Sequence, residues 1–507
     1  MSLQSLNDAP RWWAYETPDA VALAVGSDCV TYRELDDWVD RVAAVMTGEN
    51  VRVGDRVCVA GGNCLEWVVV ALAGLRCGAI VSGLNHRFVA TELAGLIRQY
   101  EPAMVYAAES HMLRIKEVQR SGVDFVLRSF VEVTTARQGD RVQHVGPSMH
   151  SDDPAVIVST SGTTGLPKGV VLTHGSILSG FLEWSVMEPE WGHRSRLLGV
   201  APMAPFGGFV WSVCSQLLWG GTVYIEPDFD PQRALRVIVD EKISVFTAPL
   251  VFFEQIALVP GFDDADLSSL KVATCGGSPV PVAVLERWRA KGVLLRQVYG
   301  LTEGGGPVQA TSARDALTHP DRCGRRGLHR QTRIVRPDGT ECDPDEAGEI
   351  VIQGAALSLG YWNDREETAR AFRDGRLHTG DLGEKDEPGF LKVTGRLKDM
   401  IISGGFNIGP AEIEHVVLKL PEVSEVAVFG VADEKFGETP AAVVHLRSPL
   451  PVEHLIAHCN SHLADYKVPR YVVFAPEPLP RNQSGKIVKH QLKSQYPDIP
   501  ATMPRVR

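Results

Sequence analysis

The nine cysteines of this 507-residue chain contain no C-x-x-C pair and are odd in number, which argues against both a disulfide frame and a zinc site and leaves reduced thiols. No basic N-terminal segment leads into an apolar run, and the apolar stretch 67–75 is too short to cross a bilayer, so a cytoplasmic location is expected. Internal repeats and low-complexity segments are missing as well, which excludes a solenoid. There is no basic excess: the net charge of -11 argues against a broad nucleic-acid surface, while local lysines and backbone amides can still hold small anions. What remains is a globular composition, 44% hydrophobic and 22% charged, on a chain long enough for about two to four domains.

One stretch stands out. Residues 159–175 read STSGTTGLPKGVVLTHG, a Ser/Thr/Gly-rich loop with a single lysine. Glycines let backbone N–H groups approach phosphate oxygens, the hydroxyls of Thr160, Ser161, Thr163 and Thr164 add neutral donors, and Lys168 adds a mobile positive charge. Such a loop suits a polyphosphate. It lacks the G-x-x-x-x-G-K-[ST] order of a Walker loop, since counting from Gly162 puts Pro167 where that pattern wants Gly and Gly169 where it wants Ser or Thr. The flanks 155–158 and 170–173 read as strands, so the loop, with Gly162 and Gly165 inside it, is expected to join a hairpin and not to open a helix.

Elsewhere the pattern alternates. Residues 51–84 read as strand, helix and strand, and 245–248, 270–273 and 294–298 read as further strands with helix-like stretches between them, which predicts parallel sheets covered by helices. The polar cluster 395–399, Gly-Arg-Leu-Lys-Asp, precedes an independent pattern: a helix over 410–420 opened by Pro410, strands over 426–430 and 441–446, and a helix over 452–463.

Further motifs follow in order: Gly276-Gly277-Ser278-Pro279, Tyr299-Gly300-Leu301-Thr302-Glu303, Leu377-His378-Thr379-Gly380-Asp381, and Pro480-Arg481-Asn482-Gln483-Ser484-Gly485-Lys486. With the loop at 159–175 they make the chain resemble, over nearly its whole length, the AMP-forming acyl-CoA synthetase and adenylating-enzyme superfamily. The resemblance implies an α/β fold: residues 1–396 as a large domain of two doubly wound sheets plus a distorted β-barrel near 322–354, and 397–507 as a small α+β lid.

The same resemblance implies roles. Gly276, Gly277, Ser278 and Pro279 would lie against adenine and Tyr299 would stack on it; Thr302 would contact the α-phosphate, and Glu303 would coordinate Mg2+. Asp381 would accept from the ribose hydroxyls, a task suited to two carboxylate oxygens, and Arg396 would reach the ribose or phosphate. Lys486 would bridge the substrate carboxylate and the α-phosphate while the adenylate forms. Rotation about a hinge at Lys398 would then replace that face by another, with Gly404 and Gly405 lining a pantetheine tunnel and Phe436 near the thiol entrance. ATP, Mg2+ and coenzyme A are the implied cofactors. A small-molecule carboxylic acid or its acyl-adenylate is the implied partner, with no nucleic acid and no membrane span.

Two positions depart from the superfamily pattern. In 202–208, Pro205 stands where His is usual, before Phe206 and Gly207, and in 323–326 Arg326 replaces a usual proline. Both bear on adenylation, so beside a complete acyl-CoA ligase a ligase that only passes on an acyl-adenylate made by a partner enzyme stays open; an enzyme that loads an acyl carrier protein, which shares all the nucleotide motifs, stays open as well. Pocket walls are expected from Phe206, Trp211, Pro249, Phe252, Phe253, Cys275, Gly304, Gly305 and Gly306, which suit a hydrophobic acid.

Overall fold

The computed structural model describes residues 4–85, 88–160, 167–277, 280–325, 327–403, 406–482 and 485–506. The alternation read in 51–84 resolves into the strand Arg56–Ala60, the helix Leu65–Arg76 and the strand Ile80–Leu84, the two strands pairing in parallel. Met104–Ala107, Val126–Ser129 and Pro154–Thr160 extend this sheet in parallel. The chain then returns antiparallel as Lys168–Thr173, with Thr160 opposite Lys168. The Ser/Thr/Gly stretch is thus a hairpin connection, as its flanks predict. Ser161, Gly162, Thr163, Thr164 and Gly165 lie outside the described residues.

A second sheet has six parallel strands, Val21–Val25, Thr222–Ile225, Arg196–Gly199, Val245–Pro249, Val272–Gly276 and Leu295–Leu301. Antiparallel strands Asp28–Thr31 and Gly306–Ala310 close its edges. Val57, Val59 and Val81 of the first sheet and Leu197, Val245 and Val272 of the second belong to one buried cluster, so the largest core lies between the sheets. The other face of the second sheet, carrying Phe246, Ala273 and Leu295, packs with Phe253 and Trp288 of the helices Leu250–Ala257 and Val282–Ala290.

The barrel-like sheet is larger than 322–354. Arg330–Val335 and Gly348–Gly354 fall in that range, but Phe372–Arg373, Arg376–Lys385 and Leu391–Arg396 complete the sheet. A fourth sheet follows the short turn Leu397–Asp399 and gives the large N-terminal and small C-terminal parts implied by the motif order. Its core is a ribbon of Val423–Asp433 against Gly437–Leu446, longer than the sequence pattern suggests. Gly430 and Pro440, which interrupt that pattern, are register partners, so the two breakers meet at one point of an otherwise continuous ribbon. The helix opened by Pro410 ends at Val417, short of residue 420. All nine cysteines are free, and among the described residues no helix is long and apolar enough to cross a membrane.

Candidate active site

The strand Leu295–Leu301 ends at Tyr299-Gly300-Leu301, and Thr302 opens a single 3-10 turn that carries Glu303. Tyr299 donates its hydroxyl proton to Asp381 Oδ2 at 2.9 Å. Asp381 sits opposite Arg396 in the antiparallel pair of the third sheet, and Arg396 Nε forms an ion pair with Asp381 Oδ1 at 2.7 Å. A carboxylate with both oxygens engaged by a phenol and a guanidinium is held in one orientation.

Lys486 joins this corner from the C-terminal part. It keeps exposed surface, yet its ammonium is crowded by protein, and that crowding, followed by repulsion from Arg396, lowers its pKa to about 8 against the pull of Asp381 and Asp399. Its loop is held by a backbone N–H of Lys486 donating to Asn482 Oδ1 at 2.9 Å and by Gly485 at φ +75. A Cβ on Gly485 would come within 2.7 Å of Val251 Cγ1, so the loop rests directly on the helix Leu250–Ala257 of the large domain.

Glu303 stands on the side of Lys168. Its Oε1 accepts from the Tyr361 hydroxyl at 2.9 Å, and Lys168 Nζ lies 5.3 Å from the centre of the same tyrosine ring. Lys168 also pairs with Glu367. Its pKa is lowered by burial first and by Arg370 next, with Asp364 and Glu303 opposing. Tyr361 and Glu367 are absent from the sequence motifs: Tyr361 lies on a two-residue strand that pairs with Val170, and Glu367 on a seven-residue helix, both too short to leave a periodic signal.

The seat for the substrate carboxylate is expected around Pro205, Phe206 and Gly207. Phe206 leads into the π-helical stretch Gly207–Cys214, and its ring fills the space where Gly306, at φ +88, would otherwise carry a side chain. Trp211 stacks loosely behind Phe206 at 6.4 Å. Beneath the glycines, Arg330 Nη1 donates to the carbonyls of Gly304 at 3.1 Å and Gly305 at 3.4 Å, while its Nε donates to Glu183 at 2.5 Å. Phe206, Trp211 and Gly304 to Gly306 therefore converge. Phe253 and Cys275 do not: both are buried in the cluster on the helix-covered face of the second sheet, where burial pushes the Cys275 thiol well up. Phe252 packs edge-on against Phe229 at 4.6 Å in that same cluster. Gly276 ends its strand beside Val298, and Ser278, Pro279 and Arg326 lie outside the described residues.

In the C-terminal part, Lys398 is exposed in the turn between the third and fourth sheets. Ser403 pairs with Gly437, which places the stretch leading to Gly404 and Gly405, themselves outside the described residues, beside Phe436. Phe436 is flanked by Lys435 Nζ at 5.1 Å and by the Arg470 guanidinium at 4.5 Å. The Lys486 loop is anchored at the other end of the ribbon, where Glu425 accepts from Leu479 N at 2.6 Å and from Arg481 Nη2 at 2.8 Å.

Comparison with known proteins agrees with this geometry. The family model "AMP-binding enzyme" matches residues 10–362, and "AMP-binding enzyme C-terminal domain" matches residues 412–486. The chain is 34% identical to the long-chain-fatty-acid–CoA ligase FadD13 of Mycobacterium tuberculosis, with 100% of this chain and 99% of that protein covered. It superposes on ATP-bound MatB from Rhodopseudomonas palustris with TM-score 0.90 and 28% identity, over 98% and 99% of the two chains. On the o-succinylbenzoate CoA synthetase of Bacillus subtilis in complex with its acyl-adenylate intermediate, the TM-score is 0.86 at 28% identity, over 96% and 97%. The chain belongs to the AMP-binding enzyme family and is an AMP-forming acid–thiol ligase of its acyl-CoA synthetase branch.

Proposed function

We propose that this protein activates a hydrophobic carboxylic acid as its acyl-adenylate and transfers the acyl group to coenzyme A. Joining a carboxylate to an α-phosphate brings two anions together, and the reaction needs positive potential where their charge concentrates. Lys486, held beside Asp381 and Arg396, supplies it from the lid, and Lys168 from the phosphate end. Thr302 meets the α-phosphate, Tyr299, Gly276 and Gly277 bound the adenine, and Asp381 holds the ribose. Mg2+ fits Glu303: one carboxylate oxygen accepts a hydrogen bond from the Tyr361 hydroxyl and the group stands near Lys168, the setting of a metal held by one carboxylate and substrate phosphates. Bound there, the ion neutralises phosphate charge.

The observation that carries this reading is the separation of two functional ends on one ribbon. Glu425, which anchors the Lys486 loop, and Asp433, beside Phe436, are eight strand residues apart, roughly 26 Å at strand rise. One lid cannot hold both ends at the same corner, so adenylation and thiol transfer use different lid positions, with Lys398 as the hinge. Phe206, Trp211 and the glycines below them make the acid hydrophobic. The test offers an acid library with ATP and Mg2+ and either coenzyme A or a holo-carrier protein. A CoA thioester with pyrophosphate release is the outcome of this reading; product on the carrier alone, or thioester only when acyl-adenylate is supplied, contradicts it.

A further inference from the structure

Arg296 is 3% exposed, and its partner Glu188 is 4% exposed. The pair is lopsided. Nη1 donates to both Glu188 oxygens, at 2.6 and 2.5 Å, while Nε and Nη2, the edge with which a guanidinium grips an acceptor bidentately, find no acceptor among the described residues. Buried donors are ordinarily satisfied, so an unused guanidinium edge in a core calls for a reason. Two more buried donors nearby are in the same state, the indole N–H groups of Trp184 and Trp211, whose rings meet edge-on at 5.1 Å.

These groups lie along one path that begins at the reacting corner. In the second sheet, Thr247, Thr274 and Arg296 are register partners in one row, and Pro249, Gly276 and Val298 form the next row toward the strand ends. Register partners share a face, as do residues two apart, so both rows face the core between the sheets, opposite to Cys275. Thr247, Pro249 and Val298 keep open surface there. From Gly300 to Arg296 is four strand residues, roughly 13 Å.

The helix His174–Met187 runs along the same path. A Cβ on Gly180 would sit 3.4 Å from the Gly305 carbonyl, Trp184 follows one turn later, and Glu188 caps the end at Arg296. From Gly180 to Glu188 is eight helical positions, about 12 Å, which matches the strand. Phe206 and Trp211 stack at 6.4 Å beside the helix, and Trp211 meets Trp184 edge-on.

We propose that Arg296 is a specificity-determining residue of the acyl site, its free Nε–Nη2 edge receiving a ketone oxygen carried toward the far end of the acid. Glu188 already neutralises the guanidinium, so a second carboxylate would bring unbalanced charge into a buried site. The unpaired groups along the path are all donors, so the matching function is an acceptor with no proton of its own, and a carbonyl offers two lone pairs to two N–H groups. The inference takes its location from the ligase reading above.

The test measures kcat/KM for dodecanoic acid and for its monoketo isomers with the ketone moved along the chain. One or two adjacent ketone positions are preferred over the plain acid by about tenfold or more, the scale of one hydrogen bond to a charged donor. That preference collapses toward unity in the double variant Arg296→Met, Glu188→Leu, which removes the ion pair without stranding either charge. Arg296→Lys, which keeps a cation opposite Glu188 but loses the free edge, gives the same collapse should the double variant not fold. No preferred position, or a preference that survives in the folded variant, overturns the proposal. Tryptophan fluorescence titration of the same acids reads binding without turnover: were no acid converted, the ligase reading fails, and equal affinity for keto and plain acids in that titration overturns the role of Arg296 separately.

Discussion

Lys486 and Arg396 bring two cations to one corner, which Asp381 and Asp399 make tolerable; crowding of the ammonium by protein first, and repulsion from Arg396 second, lower the lysine's pKa to about 8. A lysine is charged below its pKa, so its positive potential is present at lower pH and fades as pH rises through about 8. The kcat/KM for ATP in the adenylation half-reaction should fall across that range, because this parameter reports the free enzyme. Lys486→Arg, whose guanidinium stays charged, should abolish that fall whatever its absolute rate. A wild-type profile flat through this range, or the same fall in the variant, contradicts the role given to the ammonium. Lys486, Asp381 and Arg396 were legible in the sequence because they stand in recognisable motifs, and the structure brings these motifs to one corner. Tyr361 and Glu367 were not, since nothing in their own short elements announces a partner on another sheet. Cys275 shows the limit differently: it neighbours Gly276 in a strand where one step along the chain reverses the face, and it points into the helix-covered core.

At the scale of elements, the glycine loop after Glu303 is propped by the pair of Arg330, 1% exposed, and Glu183, 0% exposed, which ties the strand Arg330–Val335 to the helix His174–Met187. Arg330→Met strands a buried carboxylate and should destabilise by about 3–5 kcal/mol, seen as a lower Tm, while the double variant Arg330→Met, Glu183→Leu recovers much of the loss. A single variant as stable as wild type means the pair is not buried as described. The Gly485 loop gives a second prediction. Gly485→Val forces a side chain against Val251 at a positive φ, so lid docking for adenylation suffers while thioester formation from supplied acyl-adenylate is spared. Equal loss in both half-reactions removes the docking argument. The hairpin around the phosphate loop and the alternating strands were readable from period and punctuation. The length of the lid ribbon was not, because Gly430 and Pro440 read as strand ends until their pairing places them opposite each other.

On the whole-molecule scale, the sequence carried the order of the parts better than their assembly. The alternation in 51–84 and 245–298 foretold parallel sheets, yet nothing local says that Val21–Val25 joins Thr222–Ile225, a pairing across about two hundred residues. Such contacts are set by the core between the two sheets, which no single segment specifies. The C-terminal part so assembled carries Lys486 at one end of its ribbon and the Phe436 edge at the other, and the proposed function has these two ends serve one nucleotide corner in turn. The most direct test measures both half-reactions in two variants: pyrophosphate release from acid and ATP, and CoA thioester formation from synthetic acyl-adenylate. Lys486→Ala should lose adenylation by about a hundredfold or more, the scale of removing a charge that faces the transition state, and keep thioester formation. Gly405→Leu should do the reverse and accumulate acyl-adenylate. Equal damage to both half-reactions in either variant contradicts a lid that uses its two ends in turn.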